Sequence, residues 1–439
     1  MLRIVNHGSG GQGTDAREEL QRICDRTHDS SSAHAEATVH KIIQAVQRRG
    51  DAALLEYAQE FDGVKLRADE LSVTPAELKD AYEKVPKEFV DAIRTAHANI
   101  KAFHEQRVPK SWVKFGEDGV VLGKRYTPVD VAGLYVPGGT AAYPSTVLMN
   151  AVPATVAGVP RRVMVTPPGR DGSLNPAVLV AAQEAGIREI YRVGGAQAIA
   201  ALAYGTETIP AVNVITGPGN IYVTLAKKLV YGRVGIDSLA GPSEVLIIAD
   251  HSAQADQVAV DMLAQAEHDS RAAAILITPD DQLARAVAQS VSRQLETHPR
   301  REITEKAIAN FGLIIIVQGL DQAIALSNEF APEHLELAVE DPWALMETIR
   351  HAGAIFLGHS TPEAVGDYLA GPNHTLPTSG AARYASALGV ETFMKHSSII
   401  QYSPVALEKM AGAIETLATA EGLFSHAESV RIRQQSPAS

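Results

Sequence analysis

Cysteine is almost missing from this chain, which has one, Cys24, among 439 residues. A single cysteine cannot form an internal disulfide, and it excludes zinc sites built on two or more thiolates of one chain. Cys24 lies in AREELQRICDR, a polar pattern typical of a helix. We therefore interpret it as a packed or surface thiol rather than a catalytic one.

Aromatic residues, excess positive charge and long apolar runs are also scarce. Aromatics make up 5% of the sequence, so its cores must consist of Val, Ile, Leu and Ala. The net charge of -12 argues against nucleic-acid binding, which usually requires a basic surface. No window reaches the ~18 apolar residues of a membrane span, and MLRIVNHGSG lacks the apolar core of a signal peptide. We expect a cytoplasmic protein with no membrane or nucleic-acid partner.

The order of sequence patterns predicts an α/β fold. Residues 14–106 are typical of successive helices, and from about residue 119 short β-branched runs alternate with helical patterns. We predict two Rossmann-like parallel-sheet domains, both incomplete, with a helical N-terminal region and a small C-terminal segment. The predicted parts are a 1–30 segment, a discontinuous domain of 31–134 with 242–385, a second domain of 135–241, and the 386–439 segment. After about residue 386 we expect helices but no further strands.

One glycine motif matches a dinucleotide-binding fingerprint but lacks the sequence context that such a site needs. GSGGQG at 8–13 matches G-x-G-x-x-G, but the following residues 30–50 are polar and helical. A dinucleotide-binding fingerprint needs a second strand and an acidic residue at that distance. We therefore expect any NAD site to lie elsewhere.

Two polar clusters carry chemistry that catalysis could use. In DQVAVDMLAQAEH, three- and four-residue spacing puts Gln265 and His268 together at a helix end, although a solvated polar stripe explains them equally well. Glu333 and His334 follow Pro332 just before LELAV, which alternates like a strand. An adjacent carboxyl and imidazole could divide proton transfer near neutral pH, but surface pairs of this kind are common.

Other loops are candidates for ligand binding. GDYLAGPNHTLPT at 366–378 combines two glycines and two prolines with Asp367 and His374. The loops at 193–198 and 217–220 each run from a strand pattern into a helix pattern, where α/β sheets bind ligands and helix N-termini favour phosphates. Each of these loops could also be an ordinary turn, and EGLFSH at 421–426 could be a surface stretch.

Taken together, the chain resembles the histidinol dehydrogenase family over about residues 30–430. The resemblance rests on eight motifs in order: GLYVPGGTAAYPSTVLMN, VGGAQAIAALAYGTE, GPGN, AGPSEVL, QAEH, APEHLEL, GDYLAGPNHTLPT and EGLFSH. It implies NAD-dependent oxidation of L-histidinol to L-histidine through bound L-histidinaldehyde.

The resemblance also implies site residues. Glu333 and His334 would be catalytic. One zinc ion per subunit would be bound by Gln265, His268, Asp367 and His426. NAD would be bound near Tyr135, Gln197 and Asn220. The substrate would contact Ser243, His334, His374 and Glu421 as well as the four metal ligands. Because the family takes Glu421 and His426 from the neighbouring subunit, the C-terminal segment would cross to the partner of a homodimer.

Three alternatives remain open at the level of sequence. A related dehydrogenase could oxidise another small primary alcohol, including a sulfonated one. A metal-dependent hydrolase could use Glu333 to activate water, although no hydrolase motif is present and the glycine loops would be unexplained. A binding protein without catalysis is the third, but all of the implied catalytic and ligand residues are retained.

Overall fold

The computed structural model describes residues 2–7, 16–27, 31–138 and 143–435. The motif at 8–13 lies outside these residues. The α-helices of the described part are α1 (Ala16–Cys24), α2 (Ser31–Arg49), α3 (Asp51–Tyr57), α4 (Pro75–Glu83), α5 (Lys87–Glu105), α6 (Pro144–Val156), α7 (Pro176–Glu184), α8 (Gly195–Tyr204), α9 (Ile221–Val230), α10 (Ala255–Ala266), α11 (Asp281–Glu296), α12 (Arg301–Phe311), α13 (Leu320–Phe330), α14 (Pro342–Met346), α15 (Glu363–Tyr368), α16 (Pro404–Ala420) and α17 (Phe424–Gln435).

The strands of the described part form three sheets. In chain order they are β1 (Arg3–Asn6), β2 (Trp112–Phe115), β3 (Val121–Pro128), β4 (Val131–Tyr135), β5 (Arg161–Thr166), β6 (Glu189–Arg192), β7 (Val214–Thr216), β8 (Gly235–Ile236), β9 (Glu244–Ala249), β10 (Ala273–Thr278), β11 (Gly312–Ile316), β12 (His334–Ala338), β13 (Ala354–Leu357) and β14 (Met394–Gln401).

Two of the sheets are parallel, as predicted. The larger has the order β1-β11-β10-β9-β12-β13, and the smaller β6-β5-β4-β7-β8. Strands β9 and β10 are buried along their whole length, which matches their largely apolar sequences because helices cover both faces of such sheets. Without β1, both sheets have the Rossmann-type order 3-2-1-4-5. The strand order reverses between β4 and β7 in one sheet and between β9 and β12 in the other.

The N-terminal helices pack on the smaller parallel sheet. Val39, Ile42 and Leu54 lie in the same hydrophobic core as residues from β5 to α9, and α2 contacts α8 and α9. The predicted domain of 31–134 with 242–385 would instead place these helices with the larger sheet. The 1–30 segment contributes β1 to that larger sheet, where it pairs with β11. The predicted domain boundaries themselves stay a prediction.

A small antiparallel sheet, in the order β14-β3-β2, was not predicted. Together with α16 and α17 it forms a compact unit of residues 107–129 and 394–439, and the rest of the chain forms the other unit. The expectation of no strands after about residue 386 is therefore wrong. Strand β14 (MKHSSIIQ) has mostly exposed side chains, so it lacks the apolar alternation by which half-buried strands are found.

The helical spacing of apolar residues predicts which face of a helix is buried, and single positions depart from that pattern. In α5 apolar residues recur at helical spacing, and of these Ile93, Ala96 and Ile100 are buried, whereas Phe103 is 43% exposed and the neighbouring His104 is buried. In the described ranges, no helix has both the length and the hydropathy required to cross a membrane.

Candidate active site

Glu333 and His334 lie at the amino end of the larger parallel sheet. Helix α13 is capped at its C-terminus by Ala331, which adopts a left-handed conformation with φ 55°. Strand β12 begins at His334, one residue before the strand that the sequence predicted. In the ladder His334 is opposite Val245 of β9, next to the point where the strand order reverses. Both side chains are buried.

One main-chain segment orients both side chains. The Glu244 amide donates to Glu333 Oε2 at 2.9 Å, and the Glu244 carbonyl oxygen lies 3.1 Å from His334 Nδ1. A carbonyl can only accept, so Nδ1 carries the hydrogen and neutral His334 has its lone pair on Nε2. Nε2 is buried and has no hydrogen-bond partner in the described protein. This nitrogen is therefore available to take a proton from a bound molecule.

Burial shifts the pKa values of the two groups in opposite directions, because it favours the uncharged form of each. Burial lowers the pKa of His334 to about 3, so the imidazole is neutral at physiological pH. Burial, with repulsion from Glu244, raises the pKa of Glu333 well above its ordinary value, and a carboxylate with a raised pKa is a stronger base. In contrast, burial raises the pKa of Cys24 to about 11, which disfavours a reactive thiolate.

The segment that orients these groups is held by a buried ion pair that the sequence analysis missed. Arg26 Nη2 lies 3.0 Å from Glu244 Oε2, and the two side chains are 1% and 0% exposed. The Ser379 amide donates to Glu244 Oε1 at 3.0 Å. Arg26 belongs to the N-terminal region outside the predicted resemblance, and no motif marks it.

A cluster of possible metal ligands lies nearby. Ligand atoms of His268, Glu363 and Asp367 are all within 4.8 Å of one another. The amide of Gln265 is fully buried and contacts the Glu363 carboxylate. The structure thus brings three of the four predicted ligands together and adds Glu363, which the sequence analysis did not single out. Imidazole and carboxylate groups suit zinc, whereas an amide oxygen is a less usual ligand.

The electrostatics of this cluster fit a cation. Burial raises the pKa of Asp367 to about 6, and burial with several neighbouring carboxyls raises the pKa of Glu363 well above its ordinary value. Burial and then Asp261 raise the pKa of Glu336 to about 8. Like charges this close are unfavourable together, and a divalent cation would stabilise their ionised forms.

The other residues predicted to bind substrate are divided between the two units of the chain. Ser243 directly precedes β9. His374 lies with Nδ1 3.0 Å from the Asp367 carbonyl oxygen and Nε2 3.3 Å from Thr146 Oγ1 of α6, and burial lowers its pKa to about 4. Glu421 and His426 belong to the smaller unit, at the end of α16 and on α17, where both are exposed.

Two of the residues predicted for NAD binding lie at the carboxyl end of the smaller parallel sheet. Tyr135 ends β4, is buried, and accepts a hydrogen bond from the Gly195 amide at 3.2 Å. Gln197 is buried in the first turn of α8. Burial raises the pKa of Tyr135 to about 12, so its hydroxyl stays neutral.

The third, Asn220, caps α9. Its Oδ1 accepts from the Tyr222 and Val223 amides at 3.0 and 3.2 Å, which leaves the amide nitrogen free of the cap. In the preceding loop, Gly217 has φ 118°, and a Cβ there would lie 2.0 Å from the Tyr135 carbonyl oxygen, so only glycine fits.

A second buried ion pair fixes the Gly217 loop. Lys227 pairs with Asp237 and donates to the Gly217 carbonyl at 3.0 Å, while Asp237 Oδ2 accepts from the Gly217 amide at 2.8 Å. The sequence analysis did not identify this pair, because a lysine within a helix is normally at the surface.

The fold and site together define a class of protein: an α/β protein with a buried imidazole, a cluster of possible metal ligands, and glycine loops at the carboxyl ends of parallel strands. The sequence model of the family described as histidinol dehydrogenase matches residues 25–434. The chain belongs to the histidinol dehydrogenase family.

Individual relatives agree with this assignment. The histidinol dehydrogenase of Synechococcus is 73% identical over 436 residues, 99% of each chain, and that of Thermosynechococcus vestitus is 70% identical over 99% of this chain and 100% of its own. The crystal structure of histidinol dehydrogenase from Elizabethkingia anophelis is similar with a TM-score of 0.89, at 34% identity over 98% of each chain. The matches cover the N-terminal region that the sequence analysis left outside the resemblance, which corrects that expectation.

The neutral state of His334 predicts a pH-dependent stability. The unfolded chain binds a proton to this histidine near pH 6.5, but the folded state does so only near 3, so stability falls as the pH decreases through this window. At pH 5 the loss is about 2 kcal/mol relative to pH 7.5. Between these pH values, the melting temperature of metal-free protein should fall more in the wild type than in His334→Asn, which lacks this titration.

The exposed His251 provides the control. His251→Asn should melt like the wild type at both pH values. Parallel curves for wild type and His334→Asn would show that His334 is not held neutral by the fold.

Proposed function

We propose that this protein oxidises L-histidinol to L-histidine with two molecules of NAD, through bound L-histidinaldehyde. The observation that carries the proposal is the fixed tautomer of His334: its Nε2 is buried without a hydrogen-bond partner in the described residues, and its Nδ1 lies 3.7 Å from a carboxyl oxygen of Glu333 and from one of Glu363. Membership of the family gives the reaction class, and the site has the proton acceptors that the reaction needs.

The residues fit one zinc ion and one NAD per site. Gln265, His268, Asp367 and the partner subunit's His426 would hold the metal, and Tyr135, Gln197 and Asn220 would contact NAD. When bound, zinc would hold the imidazole and amino nitrogens of the substrate, and NAD would accept the hydride.

The chain's own groups account for the proton transfers. His334 Nε2 accepts the hydroxyl proton as the first hydride leaves the alcohol carbon. Glu333 then takes a proton from water as the water adds to the aldehyde carbon, while protonated His334 returns its proton to the aldehyde oxygen, which gives a gem-diol. His334 accepts a proton again as the second hydride leaves. General-base catalysis of this type contributes about 10²–10⁴-fold.

We also propose a cytoplasmic homodimer with shared sites. The support for sharing is that Glu421 and His426 lie exposed in the smaller unit, while Gln265, His268 and Asp367 belong to the larger one. A C-terminal segment that reaches a neighbouring copy would complete the ligand set of the partner's site.

The stoichiometry of NADH formation tests the proposed reaction. Limiting L-histidinol with excess NAD should give two NADH per substrate, measured by absorbance, because conversion of an alcohol to an acid removes two hydrides. Removal of zinc with a chelator should abolish the reaction, and added zinc should restore it. A yield of one NADH would instead identify a simple alcohol dehydrogenase.

Substitution of the two catalytic candidates should separate the half-reactions. His334→Asn should slow oxidation of both histidinol and histidinal by about 10²-fold or more, since His334 is the base in both. Glu333→Gln should slow histidinal oxidation much more than the first hydride transfer from histidinol, measured as the first NADH formed in a single turnover, because only the aldehyde needs hydration. Equal slowing of these two half-reactions by Glu333→Gln would contradict this division of labour.

Mixed dimers test the sharing of sites. Asp367→Asn and His426→Asn subunits carrying different tags are co-expressed, and the mixed dimer is isolated through both tags. One of its two sites then has a complete ligand set, so activity should return to about half of the wild-type value. Each variant homodimer should be inactive, and an inactive mixed dimer would rule out sharing.

A further inference from the structure

Glu363 is the residue of the cluster to which neither the sequence analysis nor the proposed mechanism gives a role. It is the first residue of α15 and is 3% exposed. Its carboxylate lies between the Gln265 amide and the imidazole of His334, whose Nδ1 is 3.7 Å from Glu363 Oε1. A buried carboxyl in contact with both a metal-ligand candidate and the catalytic base calls for an explanation.

The contact with Gln265 has a direction. Both Glu363 oxygens contact the same Gln265 atom, and at least one of them can only accept a hydrogen bond whether or not the carboxyl is protonated, so the amide nitrogen of Gln265 must face Glu363. In this orientation the nitrogen is 2.8 and 2.7 Å from the two carboxyl oxygens. The amide oxygen is then directed away from Glu363.

Glu363 is itself held in place by the sheet. Its main-chain amide donates to Glu336 Oε1 at 2.9 Å, and Glu336 lies on β12 two residues after His334. The carboxylate that faces Gln265 is therefore fixed relative to the strand that carries the catalytic base.

We propose that Glu363 is a positioning residue that fixes the Gln265 amide so that its oxygen, and not its nitrogen, faces the metal ion. The proposal rests on the zinc site of the proposed function. It adds the group that keeps the oxygen of the uncharged Gln265 amide directed toward the metal ion. Ligand-orienting partners of this kind commonly control metal affinity by about 10–100-fold. Glu363 is assigned to positioning on the ground that both of its oxygens contact the Gln265 amide nitrogen.

The test is the zinc affinity of metal-free dimer, measured without substrate by competition with a fluorescent chelator. In Glu363→Gln the new amide can present either its oxygen or its nitrogen, so it no longer dictates the orientation of Gln265. Zinc affinity should fall by about 10–100-fold. The double substitution Gln265→Glu with Glu363→Gln should restore it, because the carboxylate at 265 accepts from the amide at 363 and still offers oxygen to the metal.

Two controls separate orientation from other effects. Glu347→Gln makes the same chemical change at an exposed position after α14 and should bind zinc like the wild type. Melting of the metal-free variants reports whether Glu363→Gln is folded, and the double substitution keeps the test available if the single variant is not.

The outcomes are distinct. Unchanged zinc affinity in Glu363→Gln would overturn the proposal. Failure of the double substitution to restore zinc affinity would also overturn it, because a carboxylate at 265 supplies a fixed oxygen ligand without the Glu363 carboxylate. Failure of the wild-type dimer to bind zinc would count against the proposed function itself, whereas a defect confined to Glu363→Gln and repaired by the double substitution supports the positioning role.

Discussion

The site depends on the buried ion pair between Arg26 and Glu244. The Glu244 side chain is held by Arg26 and by the Ser379 amide, while the main chain of the same residue binds Glu333 on one side and His334 on the other. Breaking a buried ion pair by removing one partner typically costs about 3–5 kcal/mol, since the other charge stays buried and unpaired. The orientation of Glu333 and His334 thus depends on an arginine from the N-terminal region of the chain.

Residues with a local pattern could be predicted from the sequence. The parallel sheets follow from alternating strand and helix patterns, and the helical spacing of Gln265 and His268 matches their position at the end of α10. The GPGN loop lies at a strand-order reversal, where such loops bind ligands. The roles of these residues came from the family resemblance, because each motif alone could equally have been a turn or a surface stretch.

Residues whose importance comes from distant partners could not be predicted. Arg26 and Glu244 are 218 positions apart, and Glu363 meets Gln265 and His334 only after folding. A charged residue is normally interpreted as solvated, so sequence patterns give no sign that these three are buried. Strand β14 was missed for a related reason, because its partner β3 is far away in the chain and its exposed side chains show no alternation.

Some residues proposed for catalysis and substrate binding lie at the amino ends of strands, and some proposed for NAD lie at the carboxyl ends. Glu333, His334 and Ser243 are at the amino ends of β12 and β9, whereas Tyr135 and the Gly217 loop are at the carboxyl ends of β4 and β7. In the function that we propose, separate secondary-structure elements would therefore hold the reacting molecule and the dinucleotide. Such an arrangement would allow their residence times to differ: a spent nucleotide could dissociate and be replaced while a half-oxidised molecule keeps its place.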